Sequence, residues 1–396
     1  MTRFADAPTE KRTLNVDQAV RDRYSAAARQ SEAALCCPVD YDRRLLEIIP
    51  EEIQQKDYGC GDPSRFVREG ETVLDLGSGG GKICYIAAQI VGERGSVIGI
   101  DCNDDMLALA RKYQSVIAGK LGYENVEFRK GRIQDLALNL DSLEHYLAEN
   151  PVRTSSEWLQ LEEHANHLRE TAPNVADHSI DVILSNCVLN LVRPEDRPQL
   201  FRDMHRVLKR GGRAVVSDIV SDEDVPAHLR QDRKLWSGCI SGAHREDAFL
   251  QAFEEAGFYG IEIVDRQSEP WAVVEGIEFR SITVRAYKGK DGPCLERKQA
   301  VIYKGPWKTV TDDDGHKLIR GRRIAVCDKT YQIYSREPYR RQIEPIEPHE
   351  SIPLDDAAPF DCHATAVRPP QETKGKSAAS LTILPEEDCC GPSECC

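Results

Sequence analysis

TVLDLGSGGGK, residues 72–82, is the stretch that decides the fold of this chain. Its first half is an apolar run of the length that forms a buried strand, and glycines follow at positions 77, 79 and 81 before a helical pattern begins. Glycine is needed at such a junction because the backbone turns tightly and a ligand can lie against it without obstruction by side chains. The stretch therefore predicts a strand, a glycine-rich loop and a helix that bind a nucleotide-like group.

Two acidic residues accompany this loop. Asp75 lies in the strand, and Asp101 ends the next predicted strand, SVIGID, 24 residues after Gly77 (101 − 77). A carboxylate at that place can accept hydrogen bonds from both hydroxyls of a ribose. The fingerprint of dinucleotide-binding proteins requires a small residue where this chain has Lys82, so the loop suits a nucleoside cofactor better than a dinucleotide.

Strands and helices alternate on both sides of the loop. Helical patterns cover about 82–91, 104–118 and 244–256 and the segment EDRPQLFRDMHRVL, and they separate the strand-like runs SVIGID, VEFRKG, SIDVILSN and RAVVSDIV. Such alternation indicates a parallel sheet with crossover helices. We therefore expect an α/β fold with a doubly wound, Rossmann-like sheet.

The pattern of residues changes along the chain and suggests four regions. We expect residues 1–62 to form a helical cap that ends in the motif YGCG, and residues 63–265 to form the core, with a polar helical insertion at 138–175. Residues 266–345 contain short strand-like runs and predict a small C-terminal domain. Residues 346–396 are poor in core-forming side chains and predict a flexible tail that ends in CCGPSECC.

Composition narrows the class of partner. The 66 acidic and 52 basic residues give a net charge of −14, with no basic patch that would bind nucleic acid or an anionic membrane. No apolar run is long enough to span a bilayer, and the opening MTRFADAPTEKR lacks the apolar stretch of a signal peptide. We therefore expect a cytoplasmic protein without nucleic-acid or membrane partners. The oligomeric state stays open, a monomer being one option.

Fourteen cysteines are more than a cytoplasmic enzyme needs for packing. Cys60 lies in YGCG before the first core strand, Cys187 follows the fourth strand and Cys239 follows the fifth, so the predicted topology can bring all three to one crevice. Three thiolates that face one point form a soft, trigonal site, which prefers a thiophilic centre such as trivalent arsenic over Mg²⁺ or Ca²⁺. The lone pair of arsenic could then attack a methyl donor held in line, and the enzyme would act mainly by alignment.

These motifs closely resemble those of the arsenite methyltransferases, which are S-adenosylmethionine-dependent class I methyltransferases. The resemblance rests on YGCG, DLGSGGGKICY, SNCVLNLV and SGCISGA and extends over about residues 35–345. It implies that methyl groups pass from S-adenosylmethionine to trivalent arsenic bound by Cys60, Cys187 and Cys239, with the last two as the inner pair. The products would be mono- and dimethylated arsenicals, formed in arsenic detoxification.

The same resemblance assigns further residues. It implies that either Cys36 or Cys37 helps to recycle disulfides with a thiol reductant, glutathione or thioredoxin, and the doublet leaves the choice between them open. The cofactor site that it implies is lined by Tyr58, Asp75, Gly77, Gly79, Asp101, Met106, Ile133, Gln134 and Asn186.

Two other functions fit parts of the sequence. The core would also support a methyltransferase that acts on a carbon or oxygen atom of another small molecule. That reaction needs a general base, and the motifs around Cys187 and Cys239 contain no obvious His or carboxylate. A thiol-rich protein that binds or stores a metalloid without catalysis is the other alternative, and it would have no use for S-adenosylmethionine.

The remaining cysteines carry weaker signals. For Cys84, inside a helix, and Cys327, in an apolar run, we expect a packing role. Cys102, Cys294 and Cys362 have no distinctive context. The two cysteine pairs of the terminal CCGPSECC could chelate a soft ion without a fold, or could remain uninvolved.

Overall fold

The computed structural model of this chain describes residues 14–30, 32, 39–362 and 366–375. Three of the predicted features, namely Cys36, Cys37 and the terminal CCGPSECC, lie outside these residues. The chain divides into two units, residues 1–289 and 290–396. None of the described helices is both long enough and apolar enough to cross a membrane.

One sheet forms the centre of the first unit. Its strands are β1 (Thr72–Leu76), β2 (Ser96–Asp101), β3 (Val126–Lys130), β4 (Ile180–Asn186), β5 (Leu208–Ser221), β6 (His244–Arg245), β7 (Tyr259–Arg266), β8 (Ala272–Val274) and β9 (Ile277–Tyr287). Their order is β3-β2-β1-β4-β5-β9-β7, with β6 beside β5 and β8 beside β9. Strands β1 to β5 run parallel, whereas β9 pairs antiparallel with β5 and β7. The predicted α/β fold with a doubly wound sheet is confirmed.

Helices connect and cover these strands. They are α1 (Val16–Arg29), α2 (Arg43–Leu46), α3 (Glu51–Gln55), α4 (Lys82–Val91), α5 (Asp104–Lys112), α6 (Gln114–Leu121), α7 (Leu140–Glu149), α8 (Ser155–Thr171), α9 (Arg197–Val207), α10 (Ala227–Arg230), α11 (Arg233–Ser237) and α12 (Glu246–Glu255). The polar insertion thus consists of α7 and α8. Helix α1 begins where the Asn15 side chain accepts a hydrogen bond from the Gln18 backbone nitrogen, and α5 begins at a similar Asn103 cap.

Both faces of the sheet are covered by apolar layers. In β1, Leu74 and Leu76 pack in one layer with Phe201, whereas Val73 packs in the opposite layer with Tyr85. The side chains divide in this way because successive Cβ atoms of a strand point to opposite faces. Crossover helices cover both faces of the parallel strands. Ligands therefore bind at the carboxyl edge of the sheet, where β1, β2, β4 and β5 end.

The C-terminal boundary of the sheet differs from the prediction. The sequence pattern predicts a small separate domain from residue 266 onward. In the structure, β9 lies inside the large sheet, and the second unit begins at residue 290. Strand β5 also starts at Leu208, before the run RAVVSDIV that the sequence predicts as this strand. The Gly211 nitrogen donates to the Lys288 carbonyl at 2.7 Å, just after the end of β9, and this long-range hydrogen bond accompanies the extension of β5 beyond its local pattern.

The second unit, residues 290–396, is rich in short strands, as predicted for the C-terminal region. It contains β10 (Leu295–Glu296), β11 (Ala300–Tyr303), β12 (Thr309–Thr311), β13 (Lys317–Ile319), β14 (Arg323–Ala325), β15 (Ile343–Ile346) and β16 (Ala358–Pro359), with helices α13 (Asp328–Tyr334) and α14 (Pro370–Lys374). Strands β14, β11 and β15 form an antiparallel sheet over Val301, Ile324 and Tyr331. Because β16 pairs with β10, part of the predicted tail belongs to this unit.

Candidate active site

The glycine loop leaves open space next to its backbone. Gly77 and Gly79 have φ angles of 69° and 51°, in the left-handed region that favours glycine. The Gly77 nitrogen donates to the Ile100 carbonyl at 2.8 Å, which fixes the loop against the end of β2. Apart from Gly79 itself and its two chain neighbours, no heavy atom of the described residues lies within 4 Å of the point where a Cβ of residue 79 would stand. The loop can therefore receive a ligand at Gly79.

Asp101 borders this space at the end of β2. One carboxylate oxygen accepts a hydrogen bond from the Gly79 nitrogen at 2.9 Å, and the other accepts from the Asn103 nitrogen at 2.8 Å. Each oxygen keeps a further lone pair, because a carboxylate can accept about four hydrogen bonds. The structure thus holds Asp101 in a fixed orientation in which it can still bind hydroxyl groups.

Asp75 lies behind the loop, beneath helix α4. Its side chain is buried and accepts a hydrogen bond from the Cys84 thiol at 3.1 Å. Burial raises the pKa of Asp75 to about 7, because the charged form loses its hydration. Asp75 therefore connects β1, on one side of the loop, with helix α4 on the other. Cys84 contributes this hydrogen bond besides its packing.

Helix α1 covers the region beside Asp101. Tyr58 and Met106 pack in one apolar cluster with Ala27 and Ala28 of α1, and the Tyr58 hydroxyl donates to the Ala27 carbonyl at 3.0 Å. The ring of Tyr24, also on α1, meets the Tyr58 ring edge-on, with centroids 6.2 Å apart. The structure thus brings together two of the residues predicted for the cofactor site and encloses them under a helix.

Two further residues predicted for the cofactor site follow strand β3. Ile133 is buried in the same apolar layer as Leu76 and Ile100, so it supports the ends of β1 and β2 from one face of the sheet. Gln134 is partly exposed, and its amide oxygen, in the orientation that satisfies both ends of the amide, accepts from the Arg132 guanidinium at 2.7 and 3.1 Å. Arg132 is a local partner that the sequence pattern did not suggest.

Asn186, the last residue of β4, is engaged with the YGCG loop. Its side-chain oxygen accepts hydrogen bonds from the backbone nitrogens of Cys60 at 2.8 Å and Gly61 at 3.2 Å. Its amide nitrogen donates to the Gly61 carbonyl at 2.8 Å and to the Tyr41 hydroxyl at 3.3 Å. Asn186 therefore positions Cys60 against the sheet.

Lys82 fastens the residues before YGCG to the start of helix α4. Its ammonium group lies 2.5 Å from an Asp57 carboxylate oxygen and 3.9 Å from the centroid of the Tyr41 ring. The side chain is 9% exposed, so its charge is paired in a largely dry environment. The residue that argued against a dinucleotide site thus anchors the loop that carries Cys60.

Cys60, Cys187 and Cys239 meet at the carboxyl edge of the sheet. The Cys60 and Cys187 sulfur atoms lie within 4.8 Å of each other and of an Asp218 carboxylate oxygen. The Cys239 thiol donates to the Cys187 carbonyl at 3.1 Å. All three cysteines are buried in one apolar cluster, together with Ile219. The convergence expected from the topology is present in the structure.

Two of these cysteines adopt an uncommon backbone conformation. Cys187 and Cys239 have φ angles of 63° and 62°, a left-handed conformation that costs a non-glycine residue about 1–2 kcal/mol. Hydrogen bonds from the Cys187 nitrogen to the Ser217 carbonyl and from the Cys239 nitrogen to the Trp236 carbonyl hold the two turns. Such strained residues cluster at functional sites, where the surrounding fold maintains them.

The thiols of Cys60 and Cys187 are favoured in their neutral form. Burial raises the pKa of Cys60, because a thiolate would lose its hydration in this pocket. Hydrogen bonds with the Cys239 and Cys60 thiols, together with burial, raise the pKa of Cys187 well above its ordinary value. The pocket therefore disfavours uncompensated negative charge and would accept a ligand that leaves the three sulfurs neutral overall.

Asp218, which the sequence analysis did not single out, lies beside the thiols on β5. It is fully buried, and it accepts hydrogen bonds from the Leu189 nitrogen at 2.9 Å and from the Asn190 side chain at 2.8 Å. Burial raises its pKa to about 7. The signal for this residue was an acid inside the buried strand RAVVSDIV. Asp218 shapes the turn that follows Cys187.

Tyr24 is a second residue that the analysis missed as part of the site. Its hydroxyl lies 4.0 Å from the Cys239 sulfur, and its ring contacts Tyr58. Tyr24 thus connects the thiol cluster with the apolar group beside Asp101. The only signal was its place in the predicted helical cap, residues 1–62.

Comparisons with known proteins agree with this geometry. A family described as a methyltransferase domain matches residues 68–157 and 154–257, and a family described as a domain of unknown function matches residues 290–378. An arsenite methyltransferase of Aquipseudomonas alcaligenes is 31% identical over 80% of this chain and 86% of its own length. An arsenite methyltransferase of Mus musculus is 30% identical over 74% of this chain and 71% of its own length.

A solved structure is also similar. It is the crystal structure of an arsenic(III) S-adenosylmethionine methyltransferase from Chlamydomonas reinhardtii, with a TM-score of 0.54 and 26% sequence identity. The match covers 82% of this chain and the whole of that chain.

Proposed function

Because this chain belongs to the arsenite methyltransferase family, we propose that Cys60, Cys187 and Cys239 hold the trivalent arsenic that it methylates. The enzyme uses S-adenosylmethionine as methyl donor and acts on trivalent arsenicals. The observation that carries our assignment is the meeting of three thiols, distant in the chain, in one buried cluster at the carboxyl edge of the methyltransferase sheet.

The residues at the glycine loop fit S-adenosylmethionine. Gly79 has free space above its backbone, and Asp101 presents oriented carboxylate oxygens beside it. The Ser78 hydroxyl is buried, and within the described part of the chain it has no hydrogen-bond partner. We assign Asp101 to the ribose hydroxyls and the apolar side of Tyr58 and Met106 to the rest of the cofactor. When bound, S-adenosylmethionine supplies an electrophilic methyl group on a sulfonium.

The three cysteines can bind arsenite without a general base. Three As–S bonds form and three As–O bonds break, while each thiol proton leaves with a hydroxide as water. The product is a neutral trithiolate, which suits an apolar pocket where separate thiolates would lose their hydration. Neutral thiols are therefore the appropriate starting state: burial favours the neutral form of Cys60, and hydrogen bonds together with burial favour that of Cys187.

The fold contributes alignment. Asn186 fixes the Cys60 loop, and the strained turns at Cys187 and Cys239 hold the inner pair. Tyr24, on helix α1, contacts both the Cys239 thiol and the Tyr58 ring, and we assign it to limiting the access of water between the thiols and the cofactor-binding residues. Such preorganisation can supply about 7–11 kcal/mol of the barrier reduction when the reacting groups are held in line.

A reductant completes the cycle. Arsenic that has accepted a methyl group through its lone pair is pentavalent, and two electrons are needed to return it to the trivalent state. We propose that two cysteine thiols supply them by forming a disulfide, that Cys36 or Cys37 takes part, and that glutathione or thioredoxin reopens the disulfide. The expected products are mono- and dimethylated arsenicals.

Replacement of Cys187 tests this assignment. The Cys187→Ser variant is incubated with arsenite, S-adenosylmethionine and glutathione or thioredoxin, and the arsenic species are separated and quantified. We expect a loss of methylation of about a hundredfold or more, because one of the three ligands that align arsenic is lost. The control, Cys102→Ser, removes an exposed thiol outside the cluster and should methylate normally. Wild-type activity of Cys187→Ser would overturn the proposal.

A further inference from the structure

Three cysteines of the second unit also converge. The sulfur atoms of Cys294, Cys327 and Cys362 all lie within 4.8 Å of one another. None of the three belongs to the cluster described above, and the sequence analysis assigned them either packing or no role. Their separation in the chain, 33 and 35 residues (327 − 294 and 362 − 327), excludes a local motif, so the fold itself builds the cluster.

Strand pairing brings the first and third cysteines together. Cys294 precedes β10, and β10 pairs antiparallel with β16, with Leu295 opposite Pro359. The Phe360 nitrogen donates to the Cys294 carbonyl at 2.8 Å, which continues the ladder by one hydrogen bond. Cys362 follows two residues later and returns to the same side. The two thiols thus lie at the end of one short ladder.

The second cysteine comes from the residue that precedes helix α13. The Cys327 sulfur accepts a hydrogen bond from the Thr330 nitrogen at 3.4 Å and lies 3.2 Å from the Thr330 hydroxyl. The Arg297 guanidinium, just after β10, pairs with Asp328 at 2.7 Å and donates to the Ile352 carbonyl. The ion pair is largely buried, and it ties the start of the helix to the strand that follows Cys294.

The groups around the cluster favour the thiolate form of one of its cysteines, Cys294. Burial alone would raise the pKa of Cys294, but hydrogen bonds from the Cys362 and Cys327 thiols and the positive charge of Lys329 outweigh it, so that its pKa lies below the usual value. Burial and hydrogen bonds with Cys294 and Cys327 raise the pKa of Cys362. The cluster therefore offers one nucleophilic sulfur beside a protonated thiol.

We propose that Cys294, Cys327 and Cys362 form a second binding site for trivalent arsenic, separate from the site of methylation. The proposal takes the identity of its ligand from the proposed function. Arsenic is expected because it requires three sulfur ligands, which is the number present, and because its trithiolate is neutral. Structural Zn²⁺ sites use four protein ligands, one more than this cluster offers. Among the described residues, no carboxylate or imidazole belongs to this group of three sulfurs.

Exposure of the cluster agrees with a site that is loaded from solvent. Cys327 is buried, whereas Cys294 and Cys362 are partly exposed. Arsenite would bind by forming three As–S bonds while three As–O bonds break. Two of the oxygens leave as water with the two thiol protons, and the third, displaced by the Cys294 thiolate, leaves as hydroxide and takes a proton from solvent. No oxidation state changes in this exchange, so no further reactant is required. The lone pair of arsenic needs no protein partner.

The stoichiometry of arsenite binding tests the proposal. The full chain, with Cys389, Cys390, Cys395 and Cys396 replaced by Ser so that the terminal thiols do not contribute, is saturated with arsenite under a reductant that contains no thiol. Bound arsenic and zinc are counted by elemental analysis after gel filtration. In this background, the further replacement of Cys294, Cys327 and Cys362 by Ser should remove one arsenic per chain, whereas Cys102→Ser should remove none.

Single replacements guard against misfolding. Cys294→Ser and Cys362→Ser alter partly exposed positions, and each should weaken binding at this site by about tenfold or more, since one of three As–S bonds is lost, without a change in the circular dichroism spectrum. An unchanged arsenic count in the triple variant would overturn the proposal. One zinc per chain in the purified protein, absent from the triple variant, would also overturn it. Methylation by these variants reports on the first site independently.

Discussion

The Asn186 side-chain oxygen lies 2.8 Å from the backbone nitrogen of Cys60, so a residue at the end of β4 determines where a predicted arsenic ligand stands. The same amide group also accepts a hydrogen bond from the Gly61 nitrogen and donates one to the Gly61 carbonyl. The resemblance implied a place for Asn186 in the cofactor site. Through its hydrogen bonds, Asn186 also joins the carboxyl edge of the sheet to the loop that carries Cys60.

Replacing Asn186 should affect arsenite more than S-adenosylmethionine. In Asn186→Ala the Cys60 and Gly61 nitrogens lose their acceptor, which costs about 1–3 kcal/mol for each buried group left unsatisfied and loosens the loop. We expect the KM for arsenite to rise by about tenfold and the dissociation constant of S-adenosylmethionine, measured by calorimetry, to change less. Asn139→Ala, which removes the cap of α7 in the insertion, is the matched control. A larger effect on S-adenosylmethionine would place Asn186 on the cofactor instead.

Asp101 should govern cofactor affinity alone. Asp101→Ala removes the carboxylate that we assign to the ribose hydroxyls, and hydrogen bonds to a charged group contribute about 1.5–3 kcal/mol. S-adenosylmethionine should therefore bind about 10- to 100-fold more weakly in calorimetry. Arsenite binding should be unchanged, because the thiols lie elsewhere. The control is Asp105→Ala, four residues further along the chain in α5 and paired with Arg29 at the surface. Equal cofactor affinities of Asp101→Ala and wild type would refute the assignment.

The first unit should lose stability as the pH rises from about 4 to 7. Burial raises the pKa of Asp75 to about 7, above the value of about 4 expected in the unfolded chain, so the folded protein holds this proton more tightly. The resulting stabilisation is fully present below pH 4 and is lost as the pH rises through 7. Asp218, with a pKa of about 7, acts in the same direction.

Urea unfolding at several pH values checks this dependence. The free energy of unfolding should fall with pH in the wild type and should fall less steeply in Asp75→Asn, which has one titrating carboxyl fewer. Asp105→Asn changes an exposed acid and should keep the slope of the wild type. Identical slopes for Asp75→Asn and wild type would mean that Asp75 is ionised throughout this range.

Cys60 should matter more for the first methylation than for the second. A monomethylated arsenical already carries one carbon ligand, so Cys187 and Cys239 can complete its coordination without the third thiol. Cys60→Ser should therefore lose activity on arsenite by about tenfold or more while retaining most of its activity on a trivalent monomethylated arsenical. Initial rates with the two substrates measure the difference. Equal losses on both would assign Cys60 a structural role.

The sequence predicted the core of the fold because local patterns dictate it. The glycine loop, the alternation of strands with helices and the acid at 101 are short-range signals, and the topology they imply also predicted that Cys60, Cys187 and Cys239 would meet. The place of β9 could not be predicted in this way. Its residues read as a strand, but its pairing with β5 is a contact between segments more than 60 residues apart along most of the register.

The partners of individual side chains could not be predicted from the sequence either. An asparagine at 186 offers a donor and an acceptor to any neighbour, and only the fold shows that both are used by the YGCG loop. Cys294, Cys327 and Cys362 lie in three unremarkable segments, and nothing local indicates that β10 and β16 will pair. The meeting of Cys60, Cys187 and Cys239 could be predicted because loops that follow parallel strands lie at the same carboxyl edge of the sheet. No such rule applies to the short strands of the second unit.

Anomalous diffraction at the arsenic edge tests the central claim most directly. Crystals of the full chain would be grown with arsenite and S-adenosylhomocysteine, the demethylated form of the cofactor, so that methyl transfer cannot occur. The account predicts an arsenic peak within bonding distance of the Cys60, Cys187 and Cys239 sulfurs. Arsenic bound elsewhere in the first unit, with these three sulfurs unliganded, would contradict it.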